Sequence, residues 1–187
     1  MPEAHVEAPT TGSIILAGVL LKLGSYGILR FILPSFVQAT YVLIPFVYSL
    51  CVFGIIYTCS TTIRQIDMKK VIAYASVSHM GFVTVGLFSS TLEGLIGCIF
   101  LMVAHGVVSS GLFFVIGCLY DRYGSRLIIY YSGLSLTMPL FGIVFFFLIL
   151  SNISFPGTSS FIGELLILLG VFEANFLAAF LITLSII

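Results

Sequence analysis

The sequence predicts an all-α integral membrane protein, a multi-helix transmembrane bundle of about six helices with one of them broken, forming a single membrane-domain fragment over residues 1–187. Three observations carry this. Hydrophobic residues make up 60% of the chain, and its mean hydropathy is +1.24. Only 7% of its residues carry a fixed charge, whereas a soluble domain keeps about a quarter of its residues charged. Those few charges also leave long uncharged stretches, each exceeding the ~20 residues a membrane helix needs: 33 residues from Arg30 to Arg64, 22 from Lys70 to Glu93, 27 from Glu93 to Asp121 and 37 from Arg126 to Glu164.

Trimmed by proline, glycine and polar clusters, these stretches predict helices at about 10–32, 41–63, 68–88, 94–119 and 136–172. The last is broken near 154–158, because Ser154-Phe155-Pro156-Gly157-Thr158 places a proline and a glycine where a continuous helix tolerates neither. A plain loop between two helices is the alternative, although the part after the break is short for a span. Broken membrane helices typically flank ion or substrate sites. An apolar run over 176–187 is too short to cross alone and reads as an incomplete helix, so the chain looks cut at both ends.

Arg64, Lys69 and Lys70 form one basic cluster and Arg122 with Arg126 another, with two crossings between them. Both therefore lie on one side, which the positive-inside rule makes the cytoplasm or mitochondrial matrix, and all read as orientation charges. Arg30 with Pro34 then marks an outer loop.

Four titratable residues fall in the apolar spans. A rise of ~1.5 Å per residue puts Lys22 about 15 Å into its helix and His79 and His105 each about 16 Å into theirs, while Glu164 follows the break. A charge at the bilayer centre costs about 2.5–3.5 kcal/mol on insertion scales, so such groups face the protein interior and mark an ion or proton route. Lys22, His79, His105 and Glu164 are accordingly the candidate catalytic residues of a proton relay, with Ser76 and Ser109 one helical turn away on the same faces. The plainer readings are a snorkelling Lys22, satisfied core histidines and a helix-bridging Glu164. Glu3, His5 and Glu7 form a polar leading segment of open role.

A soluble enzyme, a disordered tail and a secreted disulfide scaffold are excluded by this composition. Zero net charge leaves no footprint for nucleic acid. Cys51, Cys59, Cys98 and Cys118 lack metal-ligand spacing and read as small buried hydrophobes. No phosphate loop, flavin, nicotinamide or haem motif is present, so the chain moves charge without redox chemistry of its own.

Several ordered motifs resemble one family: PEAHVEAPTTGSIILAGVLLKLGSYGILR (Pro2–Arg30), DMKKVIAYASVSHMGF (Asp67–Phe82), AHGVVSSGLFF (Ala104–Phe114), LYDRYGSR (Leu119–Arg126) and FPGTSSFIGELLIL (Phe155–Leu168). Together they are similar to the antiporter-like subunit 4 family of proton-pumping NADH:ubiquinone oxidoreductase, respiratory complex I, in its mitochondrial form. The resemblance implies the antiporter-like fold and the C-terminal half of one such subunit. By motif position it matches Lys22 to the family's central-axis lysine, Glu164 to the glutamate of its second broken helix, and His105 and His79 to the histidines between. It implies no cofactor on this chain, with NADH, FMN, iron–sulfur clusters and ubiquinone elsewhere in the complex. It implies other membrane-arm subunits as partners, a chain or segment supplying the missing N-terminal helices, surrounding lipids, no nucleic acid, and a multi-pass place in the mitochondrial inner membrane. The alternative is a stand-alone cation/proton antiporter subunit or a structural remnant of one.

Overall fold

The computed structural model describes residues 2–186, so Met1 and Ile187, at the ends of the leading segment and of the expected 176–187 run, lie outside the described residues. The elements are helical: α1 (Pro2–Glu7), α2 (Thr10–Ser35), α3 (Val37–Ile63), α4 (Met68–Leu87), α5 (Leu92–Tyr123), a 3-10 turn (Ile128–Tyr131), α6 (Leu134–Thr137), α7 (Pro139–Asn152), α8 (Ser159–Ala174) and α9 (Phe176–Ile186). Among the described residues α2 to α5 are long and apolar enough to cross a membrane, and α7 is a shorter apolar helix.

Two π segments, Leu16–Leu20 and Ile28–Ile32, interrupt α2. A π turn adds one residue to a helical turn and rotates the face that follows, and Lys22 lies between the two. Arg30 and Pro34 do not form the expected outer loop. Arg30 sits in the second π segment, Pro34 lies within the α-helical turn Leu33–Ser35, and the helix breaks at Phe36 (φ −122°, ψ 48°) before the chain enters α3 directly. The π turn lets the helix run on because the i−4 pattern that a proline breaks is already interrupted there.

Helix α5 is longer than the sequence suggests, at 32 residues. Thr91 Oγ1 accepts from Gly94 N at 3.2 Å at its start, and Gly124 closes its other end at φ 67°, a left-handed cap open to glycine. The two basic segments meet at one end of the bundle through an antiparallel bridge between Asp67 and Leu127, where Met68 N donates to Arg126 O and Ile128 N to Ile66 O.

The most extensive packing joins α8 to α5, followed by α3 on α4 and α4 on α5. Small residues make the α5–α8 contact possible: a Cβ at Gly163 would lie 2.9 Å from Leu101 Cβ, and one at Gly97 would lie 2.8 Å from Ile167 N. Close backbone approach through small residues is the usual means of helix association where lipid removes the hydrophobic drive. One apolar core gathers Tyr48, Val52, Ile55, Phe82, Leu101 and Ile167; a second joins Ala17, Ile72, Val108, Leu112 and Phe113. Outward faces carry large apolar side chains such as Phe53, Val42 and Ile63, as a lipid-facing surface requires.

Candidate functional site

Helices α2, α4, α5 and α8 converge on the four titratable residues. From Lys22, the ammonium Nζ lies 2.8 Å from Nδ1 of His105 and also donates to the carbonyl of Ala17 in the first π segment. Opposite it on α5 stands Gly106, where a Cβ would sit 3.6 Å from Lys22 Cε. That gap lets the lysine lie against α5.

The His105 and His79 rings follow with centroids 5.4 Å apart and planes tilted by 48°. His79 Nδ1 then lies 2.9 Å from Glu164 Oε1, a close contact without the alignment of a hydrogen bond. The order in space is Lys22, His105, His79, Glu164. His105 and Glu164 are buried at 3% and 6% exposure, and His105 Nε2 has no hydrogen-bond partner. The Lys22–His105 and His79–Glu164 separations fall within hydrogen-bonding distance, and the two rings between them lie farther apart.

The break before Glu164 spans 153–158. Phe155 N donates to Leu150 O at 3.1 Å and Thr158 N to Phe155 O at 3.0 Å, while Ser160 Oγ caps the carbonyl of Ser151. Satisfying freed backbone groups inside the protein is what allows non-helical chain at this depth. A cavity of about 280 Å³ beside the break is lined by Cys59, Thr62, Ser78, His79, Asn152 and Glu164.

The expected hydroxyl extensions divide. Ser76 Oγ turns to its own helix, donating to Ala73 O, whereas Ser109 Oγ is buried without a partner. Lys69, an orientation charge in the sequence reading, is 4% exposed and donates to Ala8 O at 2.6 Å, and Arg126 Nη1 donates to Val6 O at 2.9 Å. Two cations thus hold the carbonyl end of α1, as the helix dipole favours.

His5 is one of three residues of the leading segment whose role the sequence leaves open. It is fully buried, stacks on Phe113 at 5.3 Å with planes 5° apart, and has no partner on either ring nitrogen. Burial first, then the positive charges of Lys69 and Lys22, lower its pKa below 6.5. Six helical residues give no periodicity by which its inward face could have been read.

Among the described residues no group of three or more His, Cys, Asp and Glu gathers as a metal site would require. Cys51 Sγ lies 3.0 Å from Thr84 Oγ1, and Cys98 Sγ donates to Val83 O at 3.2 Å, so both are accommodated in the helix interfaces.

A multi-pass membrane protein with a row of titratable side chains along its interior is the class that this fold and site define. The family described as NADH:quinone oxidoreductase/Mrp antiporter, transmembrane, matches residues 1–187, and the chain belongs to it. Similar curated relatives are "NADH-ubiquinone oxidoreductase chain 4" of Acanthamoeba castellanii, 68% identical over all of this chain, and the protein of the same name from Marchantia polymorpha, 59% identical. The chain spans 38% of the length of each of these relatives. Among solved structures, a chain of respiratory complex I from Thermus thermophilus is 34% identical, with a TM-score of 0.93 over 99% of this chain and 40% of its own length. A chain of the Mrp complex from Dietzia shares the fold at a TM-score of 0.80 and 23% identity, covering 99% of this chain and 36% of that one.

Proposed function

We propose that the chain is part of a proton-translocating membrane-arm subunit of NADH:ubiquinone oxidoreductase, and that Lys22, His105, His79 and Glu164 carry protons along its interior. The observation that supports this reading best is their continuous spatial order, with 2.8 Å at the Lys22–His105 end and 2.9 Å at the His79–Glu164 end.

The ammonium of Lys22 donates its proton to Nδ1 of neutral His105. His105, now doubly protonated, releases the other proton from Nε2 toward His79, and His79 passes a proton to the carboxylate of Glu164. Each transfer breaks one N–H bond and forms one N–H or O–H bond, so the row starts with a charged lysine and ends with a neutral glutamic acid. Because each buried charge is costly, protonation of one member shifts the others, and a change imposed at one end is felt at the other.

Membrane-arm subunits of complex I and the segment preceding this one in the full-length subunit are the partners of this reading, and the mitochondrial inner membrane its location. NADH, FMN, iron–sulfur clusters and ubiquinone belong to other parts of that assembly. The stand-alone antiporter reading predicts ion exchange without NADH oxidation. Copurification of NADH-oxidising activity with the native assembly separates the two. The relay itself is tested by Lys22→Ala and Glu164→Ala at the matched positions of a bacterial homologue. Proton pumping per NADH should fall at least about tenfold with normal assembly; pumping at the parental level would overturn the assignment.

A further inference from the structure

At the basic end of the bundle, where the chain passes from α1 into α2 beside α4 and α5, lies a cavity of about 210 Å³. Two cations line it. Lys69 does so from α4 at 4% exposure, and Arg126 does so with its Cζ 4.6 Å over the centre of the Tyr120 ring, a stack that orients the guanidinium. Pro9, Thr10 and the exposed Asp121 complete the polar part of the lining.

Neither cation has a counter-ion. Among the described residues the close acid–base contacts are Lys70–Asp67 and His79–Glu164, so no carboxylate pairs with Lys69 or Arg126. The Val6 and Ala8 carbonyls accept hydrogen bonds from them, but the end of a six-residue helix offers only a partial charge. A buried cation without an anion is costly, and donors remain for one: the ammonium has a proton beyond those that Val6 O and Ala8 O take, and among the described residues Arg126 uses Nη1 alone, toward Val6 O. The start of α2 adds to this, since Pro9 gives its first amides no side-chain cap and such amides favour an anion. Asp121 sets the opposite condition. An anion held between Lys69 and Arg126 shares the cavity with this carboxylate, which only accepts hydrogen bonds, so the anion must carry a proton of its own.

We propose that this cavity is a binding site for hydrogenphosphate, its oxygens accepting from Lys69 and Arg126 and its hydroxyl donating to Asp121. Near neutral pH inorganic phosphate keeps a P–OH, whereas sulfate and the phosphodiester of a lipid headgroup carry none, so the carboxylate that repels the latter two binds the first. The volume is several times the ~30 Å³ share of a water molecule and leaves room for a small oxyanion. Because the same cations hold the Val6 and Ala8 carbonyls, a phosphate seated on them fastens α1 to α4 and α5. The site depends on how these helices meet at the basic end and not on the proton relay.

The test uses the intact membrane assembly, purified into phosphatidylcholine nanodiscs in a phosphate-free buffer near neutral pH and at constant ionic strength. Deuterium uptake by residues 2–9 is followed by mass spectrometry as inorganic phosphate is added. Uptake should slow with the ratio of phosphate to its dissociation constant, about fivefold when that ratio is about four. Sulfate at the same concentrations should leave the rate unchanged, as should phosphatidylglycerol in the nanodiscs without phosphate. Asp121→Asn, whose side-chain amide donates, should let sulfate protect as well as phosphate does. Arg126→Gln should remove the protection by phosphate; because that change also frees the Val6 carbonyl and loosens α1, the exchange of anion preference in Asp121→Asn, on the exposed side of the cavity, is the decisive arm. No protection by millimolar phosphate, equal protection by sulfate in the parental protein, protection by phosphatidylglycerol alone, an unchanged preference in Asp121→Asn, or a carboxylate of a neighbouring segment filling the cavity in the assembly would each overturn the proposal.

Discussion

His105 is the residue with the most one-sided surroundings: Lys22 lies against its Nδ1, while its Nε2 is buried without a partner. A neutral side chain of similar volume separates packing from proton transfer there. His105→Met, at the matched position of a tractable homologue, should assemble normally and lower proton pumping about tenfold or more, because no member of the row can then bridge Lys22 and His79. Pumping and assembly measured together check this. His79→Met should be milder only if water reaches Glu164 through the adjoining cavity; Ser76 cannot help, since its hydroxyl is bound within α4. His5 makes a different prediction. Its pKa is lowered by burial and then by Lys69 and Lys22, so folding favours the neutral ring. The stability it contributes is present above the unfolded value of about 6.5 and is lost as pH falls below it. Deuterium uptake by residues 2–9, corrected for intrinsic exchange, should therefore rise between about pH 7 and pH 5. His5→Phe, which keeps the stack on Phe113, should remove that dependence.

At the scale of elements, two contacts hold the site together. Helix α8 brings Glu164 to His79 only because Gly163 and Gly97 let its backbone press against α5. Gly163→Leu should separate the helices, with a cost of about 1–3 kcal/mol for overpacking, and should reduce assembly and pumping together. A thermal-shift measurement on the purified assembly checks the first part. Helix α1 is held instead by Lys69 and Arg126, whose head groups meet the Val6 and Ala8 carbonyls. Lys69→Met leaves a carbonyl unpaired at about 1–3 kcal/mol, so limited proteolysis should then cut first near residues 8 and 9. Lys69→Arg should restore protection if the positive charge is what matters.

At the scale of the whole molecule, the outward surface is apolar along α2, α3 and α7, with Phe53, Val42, Leu140 and Phe147 all exposed. A surface of this kind suits contact with lipid. In detergents of short chain length the assembly should lose these helices' protection in hydrogen exchange before that of α4 and α5, which have the larger buried share. Uniform loss would contradict a packed inner layer. Much of this architecture was legible in the residues. Charge gaps marked α3 to α5 and the stretch that holds α7, Pro156 and Gly157 marked the break, and burying a charge in lipid is costly enough to single out Lys22, His79, His105 and Glu164 at once.

What the sequence alone determined is composition-driven: a helical membrane chain, its helix break and the position of its ionisable groups within apolar helices, because helical length and the cost of charge in hydrocarbon follow from residue type and spacing. It also read Arg30 with Pro34 as a loop, where the structure has helix, and it read Lys69 as an orientation charge without showing the carbonyl that it meets. A π turn lets α2 absorb its proline, and an unrelated segment supplies the carbonyls for Lys69; neither is visible in spacing along one helix. Only tertiary structure decided the order Lys22, His105, His79, Glu164, the inward face of His5 and the cavity at Lys69 and Arg126. Those depend on which faces of separate helices meet, which the α5–α8 glycine contact and the bridge between Asp67 and Leu127 set.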